Sequence, residues 1–147
     1  MATNINALKQ EIMNRISSEV STVQDVSNYG KVIFSGFPAV TVRATGNNNE
    51  FWSVGENQRA FNFDIDVYQQ IAKNVGTADN NAREKAERIM SNVVSDIIDA
   101  FDDYVEFGGA ADFLRAAPSD LDEVEGPEGY YLHAKIKLQI VSLYTTS

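Results

Sequence analysis

The segment RAFNFDIDVYQQI, residues 59–71, alternates without a break. Phe61, Phe63, Ile65 and Val67 fall on one side, and Asn62, Asp64 and Asp66 on the other. A period of two marks a strand with one buried face, and the pattern predicts a strand over about 58–70. Residues 130–144 repeat it: Tyr130, Leu132, Ala134, Ile136, Leu138 and Ile140 share one face, and His133, Lys135, Lys137 and Gln139 the other. Two further strands are expected. One spans 39–45, where Val40, Val42 and Ala44 alternate with Thr41 and Arg43 behind Pro38; the other lies near 112–117 and is closed by Pro118. Proline suits both places, since its missing N–H is harmless at the start or edge of a strand. GNNN at 46–49 has the composition of a turn, and the acidic stretch 119–129 that of a loop.

Helical spacing replaces alternation in two places. Ile5, Leu8, Ile12, Ile16, Val20 and Val23 recur every three or four residues and predict an amphipathic helix over roughly 4–23. Ala82, Ala86, Ile89, Met90, Val93, Ile97 and Phe101 predict a second over roughly 79–103, with Thr77 or Asp79 as its N-cap and Arg83, Glu84, Glu87 and Arg88 on its outer side. The expected architecture is a single α+β domain over residues 1–147: a four-stranded antiparallel sheet with two helices packed on one face, in the order α-β-β-α-β-β. If strands 58–70 and 130–144 are neighbours, Asp64 and Asp66 lie beside Lys135 and Lys137, and the face away from the helices is ionic and self-compensating.

Composition changes this picture little. The chain has 147 residues, 44% hydrophobic and 22% charged, which is ordinary for a globular domain. With no cysteine, nothing depends on disulfides or thiol chemistry. No apolar run approaches the roughly 20 residues of a membrane span, and the N-terminus lacks a signal-peptide pattern, so a cytoplasm is the expected place of synthesis. Charge is more informative. Eleven of the 21 acidic residues and one of the 12 basic ones fall in residues 96–128, a local charge of −10 within a net −9. Such a surface does not suit specific binding to DNA or to an anionic membrane, which needs Lys and Arg.

Candidate chemistry is sparse. No P-loop, G-x-S-x-G, H-E-x-x-H or G-x-G-x-x-G is present, and His133 is the one histidine, read as a plain surface residue. The stretch DLDEVEGPEG opens as D-x-D-E but lacks the spacing and mid-loop glycine of an EF-hand. No catalytic residue, metal ligand or cofactor is expected. Phe51 and Trp52 stand side by side in a polar connection, either as a local mini-core or as an anchor for a partner subunit.

The linked pattern FSGFPAVTV (34–42), a polar connection, ENQRAFNFDIDVYQQ (56–70), a long helix and a closing alternating strand resembles the tail terminators and tail-to-head joining proteins of long-tailed phages. The matching residues are Gly36, Phe37, Pro38 and Ala39, then Asn57, Arg59, Phe61 and Phe63, and then Val67 and Tyr68. The resemblance implies a non-enzymatic virion protein, assembled in the host cytoplasm and located at the tail neck. It implies a homo-hexameric ring that caps the tail tube, ends its polymerisation and meets the head connector or another neck protein, with DNA passing through the hole. Within a ring, Asp120, Asp122, Glu123, Glu125 and Glu128 are candidates to line the channel. Phe51, Trp52, Asp64, Asp66, Lys135 and Lys137 are candidates for the subunit interface. The alternative is a small-ligand-binding or enzymatic α+β domain that uses the cleft between helices and sheet.

Overall fold

The structure, a computed structural model, describes residues 5–27, 29–30, 33–53, 56–72, 79–102, 113–126 and 129–145. The first apolar stripe forms helix α1, Ile5–Glu19, which ends four residues before its pattern does. Val20 and Val23 lie in the turn that follows and still pack on the core, so the spacing outlasts the helix. A short strand β1, Asp25–Ser27, comes next, then β2, Ala39–Ser53, and β3, Glu56–Ala72. Helix α2, Asn80–Asp102, is capped as expected by Asp79, whose Oδ1 accepts the Ala82 N–H at 2.9 Å. Strands β4, Phe113–Gly126, and β5, Gly129–Thr145, complete the chain.

The expected four-stranded antiparallel sheet is corrected here. Among the described residues the sheet has five strands in the order β1-β2-β3-β5-β4, and it is mixed because β1 runs parallel to β2. Three residues of β1 are too few to show a period, so tertiary pairing alone makes this segment a strand. Two expected loops are also strands. β2 runs through GNNN, with one extra residue between Ala44 and Gly46. β4 runs through the acidic stretch after a register shift between Pro118 and Leu121, where it takes three steps to two on β5. Both shifts are bulges, which let a strand continue through residues of poor strand propensity.

Both helices lie on one face. Leu8, Ile12 and Ile16 of α1 and Met90, Val93, Ile97 and Phe101 of α2 are buried against Val40, Val42, Phe61, Phe63, Ile65, Val67, Ile136, Leu138 and Ile140. Arg15 of α1 ties the helices together, its Nε donating to the Ala100 carbonyl at 3.1 Å. The opposite face is not uniformly wet. At one end Phe34, Ala39 and Tyr131 form a second buried cluster, joined by Phe37, Tyr68 and Val124. Phe34 packs on Tyr68 with centroids 4.9 Å apart, and Phe37 on Tyr131 at 5.2 Å.

The segment that carries these phenylalanines is pinned to β1. The Ser35 N–H donates to Asp25 Oδ2 at 2.8 Å, and the Gln24 N–H to the Pro38 carbonyl at 2.8 Å. Gly36 sits where a Cβ would come within 2.8 Å of the Gln24 Cβ, which accounts physically for glycine in the Gly36-Phe37-Pro38-Ala39 sequence. The Phe37–Pro38 peptide is cis.

Ile136 is fully buried between sheet and helices, whereas Leu121 is 62% exposed. Ile136→Ala is expected to cost about 2–5 kcal/mol of unfolding free energy, read from urea denaturation. Leu121→Ala is expected to stay within about 0.5 kcal/mol of the parent.

Candidate functional site

The register of β3 against β5 sets Asp64 opposite Lys137 and Asp66 opposite Lys135, on the face away from the helices. Thr41 and Arg43 of β2 lie across from Asp66 and Asp64 on the other flank. Three of the four candidates from these strands thus converge with Arg43 and His133 on one ionic centre.

Asp66 is the most deeply placed, only 1% exposed. A carboxylate so far out of water needs charged or donating partners. Arg43 supplies two contacts to Asp66 Oδ2, from Nε at 3.0 Å and from Nη2 at 2.9 Å. The Arg43 Nη2 also lies 3.8 Å from Asp64, and the Lys135 Nζ lies 3.7 Å from the same carboxylate. His133 takes the other oxygen: its Nε2 lies 2.7 Å from Asp66 Oδ1, and its Nδ1 lies 2.9 Å from Asp122 Oδ1 on β4. Carboxylates accept and do not donate, so an imidazole held between two of them carries protons on both nitrogens. The ring also stacks on Tyr68, with centroids 4.8 Å apart and planes 21° from parallel. Three cations, Arg43, His133 and Lys135, thus meet three anions, Asp64, Asp66 and Asp122, across four strands.

The titration behaviour follows. Hydrogen bonding to Asp66, against the opposing effect of burial and with help from Asp122, raises His133 above its ordinary value. Burial pushes Asp66 up, but the bond from His133 and the charge of Arg43 outweigh it and leave the carboxyl below its ordinary value. Burial raises the Tyr68 hydroxyl. Attraction to Asp66 raises Arg43.

His133 is therefore not the plain surface residue that its polar neighbours suggested. Its phase placed it on the right face, but alternation says nothing of what lies across the next strand. Arg43 was visible in the same way, as an outward position of an alternating strand, and its role also came from pairing.

The channel candidates do not gather on one face. The extra residue at Pro118–Leu121 places Asp122 opposite His133 on the outer side, while Glu123 meets the Arg83 guanidinium of α2 on the helix side. Glu125 is exposed at the sheet edge. Asp120 belongs to β4, but its side chain, like residue Glu128, lies outside the described residues. Phe51 and Trp52 belong to β2 rather than to a connection, and their side chains are likewise outside the described residues. Lys137 is exposed and lines an open cleft of about 430 Å³ with Thr45, Asn62, Asp64, Ala117 and Gln139. A second cleft of about 310 Å³ lies between α2 and β4, where Met90, Val94, Leu121 and Ala134 meet Lys135. Among the described residues no group of three His, Cys, Asp or Glu side chains is arranged to hold a metal ion, and no helix is long and apolar enough to cross a membrane.

The ionic centre predicts a pH window. The folded value of His133 lies above 6.5, so its contribution is complete below pH 6.5 and is lost as pH rises through the folded value. That of Asp66 lies below 3.8, so its contribution is present above pH 3.8 and is lost as pH falls through the folded value. His133→Gln is expected to cost about 1.5–3 kcal/mol near pH 6 and clearly less near pH 9, measured by urea denaturation at both. An equal deficit at the two pH values would show that the imidazolium is not what stabilises the centre. The sequence matches no protein-family model and no curated protein.

Proposed function

We propose that this chain is a structural subunit of the neck of a long-tailed phage, a tail-terminator-like protein. In this reading it assembles as a hexameric ring on the end of the tail tube, stops tube growth and joins the tube to the head connector. The tail-terminator role is preferred to the tail-to-head joining role, and either leaves an open hole for DNA.

The observation that carries the proposal is the disproportion between the sheet and its cover. β2, β3 and β5 contain 15, 17 and 17 residues. At about 3.3 Å per residue such strands reach roughly 50–55 Å. α2, with 23 residues, spans only about 35 Å at 1.5 Å per residue. Strands in globular domains usually stop near 5–6 residues. A sheet that outruns its own helices by about 15–20 Å presents surface that one domain does not need for itself, and a neighbouring subunit is the economical cover.

Two features support the same reading. Gly36 through Ala39, the opening of the resemblance, hold the aromatic cover of the outer face in place, so the matching residues have a shared structural task. The ionic centre is neutral within itself and directed into the sheet, which suits a framework that must keep its shape under load.

The cleft between α2 and β4 is where a ligand-binding domain would hold its ligand, and the tests separate the two readings. Light scattering after size exclusion, over a range of concentrations and with tube protein added, is expected to show about six subunits per particle. A monomer under every condition, together with a small molecule that raises the melting temperature in a thermal-shift screen, would replace the ring with the ligand-binding reading.

A further inference from the structure

The two outer edges of the sheet differ from end to end. β1 covers β2 only at Ala39, Val40 and Thr41. Past Thr41, among the described residues, no strand pairs with the outer edge of β2; Gly30, just beyond β1, lies beside the Arg43 side chain, and from Ala44 onward no described segment pairs with that edge. At the far side of the sheet the outer edge of β4 pairs with no strand among the described residues. Beyond Pro118 that edge is blunted by proline, a bulge and the acids Asp122, Glu123 and Glu125, the usual devices against strand addition. Before Pro118 it has no proline, bulge or acid, and Arg115 is its one charged residue.

The open stretches stand at the same level. Ala44 of β2 is the partner of Phe63, Phe63 of Leu138, and Leu138 of Ala116 on β4. Arg43 reaches Ala117 in the same way, through Asp64 and Lys137. β2, β3, β5 and β4 are antiparallel in succession, so β2 and β4 run in opposite senses. A copy displaced sideways along the sheet therefore brings its β4 antiparallel to β2 of the next copy, with the helices of both on one side. The ends also match in outline: Thr41, where β1 widens one edge, reaches through Asp66 and Lys135 the level of the β4 bulge at the other.

We infer that β2 from Ala44 onward pairs edge to edge with β4 residues 113–117 of a second copy, so that β2, β3, β5 and β4 of neighbouring subunits form one continuous antiparallel surface. The contact is heterologous, one edge meeting a different edge, and is the kind that closes into a ring. The inference rests on the ring reading and names its subunit contact. Backbone groups supply the bonds, while Pro118 and the acids that follow set where pairing stops.

The absence of native cysteine permits a direct test on the full chain. Ala44→Cys is combined in turn with Leu114→Cys and with Ala116→Cys, positions two steps apart that keep one face under a small change of register. Ala44→Cys with Ala117→Cys is the opposite-face control. Side chains opposite one another on paired strands lie within disulfide reach. After mild oxidation on the assembled ring, one same-face pair is expected to give a reduction-sensitive ladder up to the full ring, with no ladder from the control or from single variants. Rings of normal size with no ladder from either same-face pair would overturn the edge contact and leave the ring reading standing. Particles that remain monomeric with and without tube protein would overturn both.

Discussion

A carboxylate buried on a sheet must be paired, and Asp66 is such a carboxylate. Its demand for positive charge draws Arg43 from β2 and His133 from β5, and His133 in turn holds Asp122 on β4. The sheet is thereby tied across four strands by one chain of charge-assisted bonds, at right angles to the strands and on the side the helices do not touch. Removing Arg43 or His133 would deprive the buried Asp66 of one of its two partners, which is more costly than never having built the centre. The aromatic cover formed by Phe34 and Phe37 sits beside it and shields it, since Tyr68 belongs to both the stack on His133 and the packing against Phe34.

The two faces of the sheet therefore use different physics. Toward the helices, aliphatic and aromatic side chains exclude water without direction or charge. Away from them, directional bonds and one aromatic cluster specify how the strands stand relative to one another. The helix side supplies most of the free energy of folding. The other side supplies alignment.

Alternation made the helix-facing core legible at once: Phe61, Phe63, Ile65, Val67, Ile136, Leu138 and Ile140 are all buried where the pattern puts them. Helix spacing was equally readable in α2, whose bounds differ by about one residue from the pattern. β1 was not readable, because three residues carry no period. The continuation of β2 through three asparagines and of β4 through a run of acids was hidden for another reason: local composition favours turns, and only pairing with β3 and β5 overrides it. The outer aromatic cluster was missed because Phe34 lies in an irregular segment that no periodicity describes. The ionic centre was half visible. Asp64, Asp66 and Lys135 could be placed on one face by counting, but the join between Asp66, His133 and Asp122 depends on which strands are neighbours and on an unseen bulge.

That bulge has a consequence for how β4 can vary. On either side of Pro118–Leu121 the strand is written in opposite frames: Ala116 shares the helix-side level of Leu138, whereas Leu121, an odd-numbered residue, shares that of Ala134. Deleting one residue there would merge the frames and exchange the sides of every position that follows, carrying Asp122 toward α2 and Glu123 toward the outer face. Length change at this point is thus equivalent to reversing the polarity of an entire strand. Related chains can be expected to lengthen or shorten it by pairs, if at all, while remaining free to change the residues themselves.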